Sequence, residues 1–342
     1  MSKPKILFVI GSMNQTTQMH KIANELPECE HYFSQLYGDH FLIQWGIRNK
    51  LLEGTILGNK WKKITDEYLA AHNLKNDYRA RQYNNKYDLV LMCSDLIMPK
   101  VARETKSIWI QEGMIDRATW GTYLVKALGL PRYLAFGTSL NGASNLCDIY
   151  CTASEGYRHR IAKWGTDLEK TIATGIPNFD NAAEFLNNNF PYKNYVLVCT
   201  SDIRETFDFE NRPKFIRKCV KIAAGRPLIF KLHPNEKYER AKREIEKYAP
   251  AGTLIFQEGN TGEMIANCDV LITQWSSVAY IGLALGKEVH SFFNIEELKK
   301  LMPIQNGGKS AKIIANLCRQ YLQYERNPQK FLKNLDRKSL EE

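Results

Sequence analysis

The segments LIFKLHPNE, residues 228–236, and CDVLITQWSSVAYIGLALGKEVH, residues 268–290, decide the fold of this chain. In each segment a short apolar run ends abruptly in polar side chains. Such runs are typical of parallel strands that are buried on both faces. The polar groups then lie at the carboxyl ends of the strands, where open α/β sheets bind ligands. The sequence therefore predicts a parallel α/β sheet with a ligand site at this edge.

The second segment contains a candidate anion site. Ser276 and Ser277 directly precede an apolar stretch, residues 278–285, which is typical of a helix that ends at Gly286. Hydroxyl and backbone N–H donors at the start of a helix bind anions. We therefore predict a diphosphate site at this turn. Gln274, at the end of the preceding strand, is predicted to bind the same substrate.

The first segment ends in Lys231 and His233, which follow the strand directly. A lone histidine is more often structural than catalytic. Here the neighbouring lysine and the position at a strand end favour a functional role. We predict that His233 donates a proton or a hydrogen bond to a leaving diphosphate, and that Lys231 binds the same substrate.

The His-Pro pair at 233–234, the Ser-Ser turn and the Ala-Leu-Gly-Lys helix end resemble the C-terminal domain of GT-B-fold proteins. The chain is most similar to UDP-N-acetylglucosamine 2-epimerases and to bacterial transferases of polyol-phosphate and capsule synthesis. The resemblance implies an α/β fold of two Rossmann-like domains that face a cleft. The expected parts are an acceptor domain at 1–180, a linker at 181–193 and a nucleotide-sugar-binding domain at 194–342. In many GT-B proteins the last helices cross back onto the first domain.

Three turns depart from the epimerase pattern. The epimerases have Gly-Thr-Arg-Pro-Glu after the first strand, where this chain has Gly-Ser-Met-Asn-Gln from Gly11 onward. Their His-Arg-Arg-Glu turn keeps only its Arg-Glu, as Arg204 and Glu205. Their Ser-Gly-Gly-x-x-Glu-Glu turn is replaced by the Ser-Ser form, which resembles the polyol-phosphate and capsule transferases.

The resemblance also implies further substrate-binding residues. The loop after the first strand faces the sugar, the turn after residue 199 holds phosphate, and the loop after residue 256 approaches the ribose. For the turn, an Arg-Glu pair that only fixes the loop is an equal alternative. The residues so implied are Gly11, Ser12, Thr200, Ser201, Arg204 and Glu258.

Two carboxylates follow predicted strands in the N-terminal half. Asp95 comes after YDLVLM, residues 87–92, and Glu112 comes after SIWI, residues 107–110. A carboxylate at such a strand end can take a proton from an attacking hydroxyl, and the epimerases carry an Asp and a Glu at these strand ends. Glu112 is therefore the predicted general base and Asp95 a second catalytic candidate. The alternative for Glu112 is a pair with Arg117 or a turn cap.

Composition limits the class of protein. The 342 residues include 44% hydrophobic and 25% charged residues, which is typical of a soluble two-domain protein. The apolar runs are shorter than a membrane span, and the first strand lacks a signal-peptide layout, so a cytoplasmic protein is expected. The eight cysteines lack zinc spacing and predict no metal site. The start lacks G-x-G-x-x-G, so no nicotinamide cofactor is expected.

The net charge of +10 suits anionic partners, and much of the excess lies in the C-terminal third. Peripheral contact of this third with an anionic membrane at the inner face is one expectation; a solvated basic face is the alternative. No nucleic-acid recognition motif is present.

The sequence thus predicts a metal-independent glycosyltransferase without a cofactor. It would move a sugar or polyol-phosphate from a UDP-, CMP- or CDP-activated donor to a surface-glycan or lipid-linked acceptor. The first alternative is a UDP-N-acetylglucosamine 2-epimerase-like enzyme, and the second is an inactive GT-B scaffold that binds a glycan or a partner. The functional part of this prediction depends on analogy, since one fold supports many reactions.

Overall fold

The structure is a computed structural model that describes residues 2–53, 55–82, 86–135, 137–201, 203 and 210–341. The chain forms two compact units, one of Met1–Asp180 with Gly308–Glu342 and one of Asn181–Gly307. Each unit is built on a parallel sheet with helices, so the predicted α/β class with two Rossmann-like domains is confirmed. The functional domain boundaries at 180 and 194 stay predictions.

The first unit contains a six-stranded sheet with the order β2-β1-β3-β4-β5-β6, and its strand pairs are parallel. The strands are β1 (Lys5–Ile10), β2 (Glu30–Gln35), β3 (Leu89–Met92), β4 (Ser107–Ile110), β5 (Ile149–Thr152) and β6 (Thr171–Ala173). The helices up to β6 are α1 (Met13–Asn24), α2 (Phe41–Arg48), α3 (Asn59–Ala71), α4 (Lys100–Glu104), α5 (Trp120–Ala127) and α6 (Glu155–Trp164), with 3-10 turns at Tyr78–Ala80, Arg132–Ala135 and Leu168–Lys170.

The second unit contains a five-stranded parallel sheet with the order β11-β10-β7-β8-β9. Its strands are β7 (Val196–Cys199), β8 (Leu228–Lys231), β9 (Leu254–Phe256), β10 (Val270–Thr273) and β11 (Glu288–His290). Its helices are α7 (Arg212–Ala223), α8 (Tyr238–Tyr248), α9 (Thr261–Asn267), α10 (Val278–Ala284) and α11 (Ile295–Leu301). The buried strands β8 and β10 are those predicted from the two deciding segments.

Residues 181–193, predicted as a linker, belong to the second unit. They contain the 3-10 helix Ala182–Leu186, whose Phe185 ring lies against α9. A Cβ added at Gly262 would lie 2.6 Å from that ring. The contact requires glycine at this point, so the segment is packed onto the sheet domain that follows it.

The C-terminal segment belongs to the first unit. It forms α12 (Ser310–Gln323), α13 (Pro328–Asn334) and a 3-10 turn at Lys338–Leu340. Ile314 and Leu317 of α12 are fully buried and share one core with Phe8 of β1 and Met19 of α1. Lys106 donates to the carbonyls of Tyr321, Leu322 and Tyr324 at the end of α12. A lysine at this position satisfies carbonyls that the helix leaves unpaired.

The eight cysteines are buried and unpaired. Burial raises the pKa of the Cys151 and Cys199 thiols to about 12, so these side chains act as small apolar groups of the core. Within the described residues, no three His, Cys, Asp or Glu side chains gather in a way that could hold a metal ion. No helix in the described ranges is both long and apolar enough to cross a bilayer.

We expect Ile314→Ala to lower the free energy of unfolding by about 2–5 kcal/mol, because it leaves a cavity in the core of the first unit. Lys312→Ala on the exposed face of the same helix is the control, with a change within about 0.5 kcal/mol. Urea unfolding of the full chain measures both. Equal, small effects would mean that α12 contributes little to that core.

Candidate functional site

The second unit has a topological switch point between β7 and β10. From β7 the chain builds β8 and β9 on one side and then β10 and β11 on the other. Open α/β sheets bind ligands in the crevice at the carboxyl ends of the two strands that flank such a point. Thr200 and Ser201 follow β7, and Gln274 to Ser277 follow β10. The structure thus brings five of the predicted substrate-binding residues, Thr200, Ser201, Gln274, Ser276 and Ser277, to one edge.

Gln274 joins the two sides of this switch point. Its fully buried side chain accepts a hydrogen bond from the Ser201 backbone N–H at 3.1 Å and donates to the carboxylate of Glu210. Its own carbonyl accepts from the Ser291 hydroxyl at 2.9 Å. Gln274 therefore fixes the geometry of the edge.

The Ser-Ser turn is half-buried and lies at the surface of the unit. The hydroxyl of Ser276 accepts a long bond of 3.4 Å from the Val278 N–H. Ser277 stands at the N-terminal cap of α10 without a side-chain cap bond. At the other end of this helix, Gly286 has a φ of +68°, which suits the predicted glycine cap.

A buried ionic network that sequence reasoning missed supports this edge. Arg212, 1% exposed, lies between two carboxylates: its Nε is 2.8 Å from Oε2 of Glu210, and its Nη2 donates to Oε1 of Glu236. Glu236 also accepts from the Thr200 hydroxyl and, at 3.1 Å, from the His233 backbone N–H. The network ties the loops that follow β7 and β8. The signal in the sequence was the Glu that closes HPNE, a charged residue in the loop after the buried strand β8.

The His233 side chain is half-buried at the end of β8. Its Nδ1 accepts from the Asn235 backbone N–H at 3.2 Å, so the neutral ring carries its proton on Nε2. The hydroxyl of Thr200 accepts from the His233 backbone N–H at 3.1 Å, which holds the loop against β7. Nε2 is therefore the donor nitrogen of the neutral ring, and the role of His233 toward a diphosphate stays a prediction.

Lys231 has a structural role in the described geometry. Its ammonium group, on a residue 6% exposed, donates to the carbonyls of Leu232 at 3.2 Å and Gln257 at 2.8 Å. Burial lowers its pKa, which nearby Glu258 opposes. Glu258 itself is exposed at the end of β9. Lys231 therefore connects β8 to the loop after β9. Arg204, the remaining predicted phosphate ligand, lies outside the described residues.

A pocket of about 330 Å³ opens beside Gln274. Trp275 and Phe292 line it with their ring centroids 5.4 Å apart, and Lys214 and Lys218 of α7 line it as well. The ammonium group of Lys218 lies 5.9 Å from the centre of the Phe292 ring. Sequence reasoning missed these residues, since α7 resembles any solvated basic helix face.

In the first unit, Glu112 is held by the start of α1. The Ser12 hydroxyl donates to Oε1 of Glu112 at 2.6 Å, and the Gln15 amide donates to Oε2 at 2.7 Å. Ser12 is also the N-cap of α1 and accepts from the Gln15 backbone N–H. Gly11 leaves room for this arrangement, because a Cβ there would lie 2.6 Å from Oε1 of Gln15. The structure thus brings the predicted residues Gly11, Ser12 and Glu112 together, and the half-buried carboxylate keeps further acceptor sites.

Asp95 differs from Glu112 in its burial and in its hydrogen-bond donors. It is 0% exposed, and its two oxygens accept from the backbone N–H groups of Gly142 at 2.7 Å and Ser144 at 2.8 Å. Burial raises its pKa, and the bonds from Ser144 oppose that effect. Arg132 donates to its backbone carbonyl. With no exposed surface, the side chain organises the 142–144 turn, and the geometry favours this structural role over the predicted catalytic one.

Comparison with known proteins supports the fold. No protein-family model matches the chain, and no curated protein matches it in sequence. A UDP-N-acetylglucosamine 2-epimerase structure matches with a TM-score of 0.57 and 15% identity over 95% of this chain and 98% of that chain. The Neisseria meningitidis UDP-GlcNAc 2-epimerase, bound to UDP-GlcNAc, matches with 0.56 and 14% over 92% and 99%. HepE from Anabaena, in complex with UDP and glucose, matches with 0.50 and 12% over 99% and 97%. At these identities the likeness establishes a shared GT-B-like fold.

Arg212→Met should lower the free energy of unfolding by roughly 3–5 kcal/mol, because it leaves two carboxylates buried without their counter-charge. Arg217→Met, on the exposed side of the same helix, is the matched control and should change it by less than about 1 kcal/mol. Urea titration of both variants measures the difference. A loss as small as that of the control would show that the network does not hold the strand ends.

Asp95→Asn should destabilise the first unit by about 1–3 kcal/mol, since an amide NH₂ would face one of the two backbone N–H donors. The control is Asp116→Asn, where an exposed carboxylate accepts the Thr138 backbone N–H at 2.7 Å; its loss should be smaller. Thermal and urea unfolding report the effect. A fully stable Asp95→Asn protein would contradict the structural role.

Proposed function

We propose that the protein is an enzyme acting on a nucleotide-linked sugar, whose diphosphate binds at the carboxyl ends of β7 and β10. The observation that carries the proposal is the gathering of Thr200, Ser201 and the Ser276–Ser277 turn at the switch point of the second unit. The proposal also draws support from structures of the same fold that contain UDP or UDP-GlcNAc.

The groups at this edge suit a diphosphate. The Ser276 and Ser277 side chains are half-buried and so reach the surface. The Ser201 hydroxyl is buried behind this edge and has no hydrogen-bond partner in the described part of the chain. Lys214 and Lys218 add positive charge in the adjoining pocket. Bonds between such donors and phosphate oxygens are among the stronger hydrogen bonds in proteins.

The first candidate reaction is epimerisation at C2 of a UDP-N-acetylhexosamine. This reaction was the alternative in the sequence analysis, and the solved structures of similar fold support it more directly than transfer, because they include UDP-N-acetylglucosamine 2-epimerases. Epimerisation breaks the C2–H bond on one face of the sugar and forms a new C2–H bond on the other, so one group removes a proton and a second donor delivers a solvent-derived proton to the opposite face. We assign removal of the C2 proton to Glu112, whose orientation Ser12 and Gln15 fix.

The second candidate reaction is transfer of the sugar, or of a polyol-phosphate, to a glycan or lipid-linked acceptor. Its support is the Ser-Ser turn, where residues 280–282, Tyr-Ile-Gly, stand in the place of the epimerases' paired glutamates. Here Glu112 would take the proton of the acceptor hydroxyl, and His233 Nε2 would donate a hydrogen bond to the departing diphosphate.

The two reactions separate when purified protein is incubated with UDP-GlcNAc in D₂O. We expect deuterium at C2 of the recovered UDP-sugar, measured by mass spectrometry and proton NMR, if the protein is an epimerase. A protein that releases UDP only when an acceptor glycan is added, with no deuterium at C2, would be a transferase. Absence of both reactions with UDP-, CMP- and CDP-linked substrates, and of any nucleotide binding by calorimetry, would contradict the proposal and leave a scaffold.

Glu112→Gln should lower the turnover of whichever reaction is found by about 10²–10⁴-fold, because the amide cannot accept the proton. The new NH₂ replaces one acceptor of the Ser12 and Gln15 bonds, so the free energy of unfolding should fall by about 1–3 kcal/mol, as for Asp95→Asn. The variant keeps the size of the side chain, and its affinity for UDP should stay near that of the unmodified chain. The steady-state rate, urea unfolding and calorimetry measure the three quantities. Unchanged turnover in a well-folded variant would remove Glu112 from the mechanism.

A further inference from the structure

The exposed apolar side chains of the first unit are concentrated in two segments, residues 40–51 and 120–134. Trp120 is 81% exposed and Phe41 is 70% exposed, values that soluble domains rarely give such large rings. The exposed members of the first segment are Phe41, Leu42, Trp45 and Leu51, and those of the second are Trp120, Tyr123, Leu124, Leu128, Leu130, Tyr133 and Leu134.

Helix α5 shows how the second segment presents its apolar face. Thr122 and Val125 are buried, and Val125 packs in a small cluster with Ala135 and Leu140. Leu124 is 46% exposed, and Tyr123 is 60% exposed although its ring lies 5.4 Å from that of Trp164, which packs against the cluster. The helix therefore has an inner apolar contact and a second, outward apolar face, which core packing does not explain.

Both segments carry positive charge and no negative charge. Residues 40–51 contain Arg48 and Lys50, and residues 120–134 contain Lys126 and Arg132, without an Asp or Glu; Asp39 and Glu53 flank the first segment, and Asp116 lies before the second. Aromatic and aliphatic side chains next to Lys and Arg are the composition of helices that lie in the surface of an anionic bilayer.

The two segments also flank the same loop of the first unit. Asp39, next to the first segment, accepts from the Lys100 backbone N–H, and Gly38 lies against Ile97. In the second segment, Arg132 donates to the carbonyl of Asp95. The loop after β3 thus connects them, and both helices follow parallel strands at the carboxyl edge of one sheet.

We propose that residues 40–51 and 120–134, called here the α2–α5 surface, bind the surface of an anionic phospholipid bilayer. Trp45, Trp120 and Tyr123 would enter the headgroup region, where amphipathic rings are favoured, while the basic side chains attract the lipid phosphates. The contact through the basic C-terminal third that the sequence suggested stays a separate prediction; the apolar face of α12 is buried in the core of its unit. The proposal is independent of which reaction the protein catalyses.

Charge favours a bilayer over a second copy of the chain. A two-fold dimer would set this surface, which carries net positive charge, against a second surface of the same net charge. An anionic bilayer supplies the opposite charge instead. The alternative, self-association through this surface, is therefore an outcome that the experiment must be able to detect.

The test is flotation of the full chain with vesicles of phosphatidylcholine, with and without phosphatidylglycerol. We expect binding to the vesicles that contain phosphatidylglycerol, a weaker signal on neutral vesicles, and a fall as salt screens the charges. The double variant Trp45→Glu with Trp120→Glu should reduce the bound fraction at least about tenfold. Leu186→Glu, at a residue 61% exposed in the second unit, should bind as the unmodified chain does.

Unchanged circular dichroism and melting temperature of the double variant exclude unfolding as the cause of its loss. Failure of the unmodified chain to float with either vesicle would overturn the proposal. Equal flotation of the double variant and the unmodified chain would also overturn it. A third contrary result would be an unmodified chain that does not bind vesicles but sediments as a dimer, with the double variant a monomer. A lost nucleotide reaction with intact flotation would affect only the proposed function.

Discussion

The second unit depends on one buried cation. Arg212 lies between the carboxylates of Glu210 and Glu236, out of contact with water, and Glu236 in turn holds Thr200 and the backbone of His233. A buried ion pair adds little net stability, because the charges lose their hydration, but its disruption is costly. The network joins Thr200 at the end of β7 to His233 and Glu236 after β8. Gln274 extends the arrangement to β10 by bonding both Glu210 and Ser201. The hydroxyls of Ser276 and Ser277 lie at the surface next to these buried groups.

The first unit uses its carboxylates in two different ways. Glu112 and Asp95 both follow short buried strands of the same sheet. Side chains from the start of α1 hold Glu112, and its position at the surface leaves acceptor capacity for a substrate. Backbone amides of a tight turn enclose Asp95 completely. The environment, not the residue type or its place at a strand end, distinguishes the partly exposed carboxylate of Glu112 from the enclosed one of Asp95.

Part of this could be predicted from the sequence for a clear physical reason. Apolar runs such as VLIT of β10 and LVLM of β3 have to be buried on both faces. The strands, their parallel direction and the polar edge of the sheet therefore follow from the local pattern. The pairing of Arg212 with Glu236 joins residues far apart in sequence, and the burial of Lys231 depends on the neighbouring strand β9. The exposure of the outward faces of α2 and α5 could not be predicted from the sequence either, because an apolar helix face normally predicts burial. The choice between epimerisation and transfer depended on a few turn residues, which a shared fold does not decide.

The central claim is that the diphosphate of an activated sugar binds where β7 and β10 end. A crystal structure of the chain soaked with UDP tests it most directly. The account predicts phosphate oxygens within about 3 Å of the Ser276 or Ser277 hydroxyl or the adjacent backbone N–H groups, with the Arg212 network intact beneath them. Density for UDP at any other place in the chain, with the Ser-Ser turn bound only to water, would contradict it.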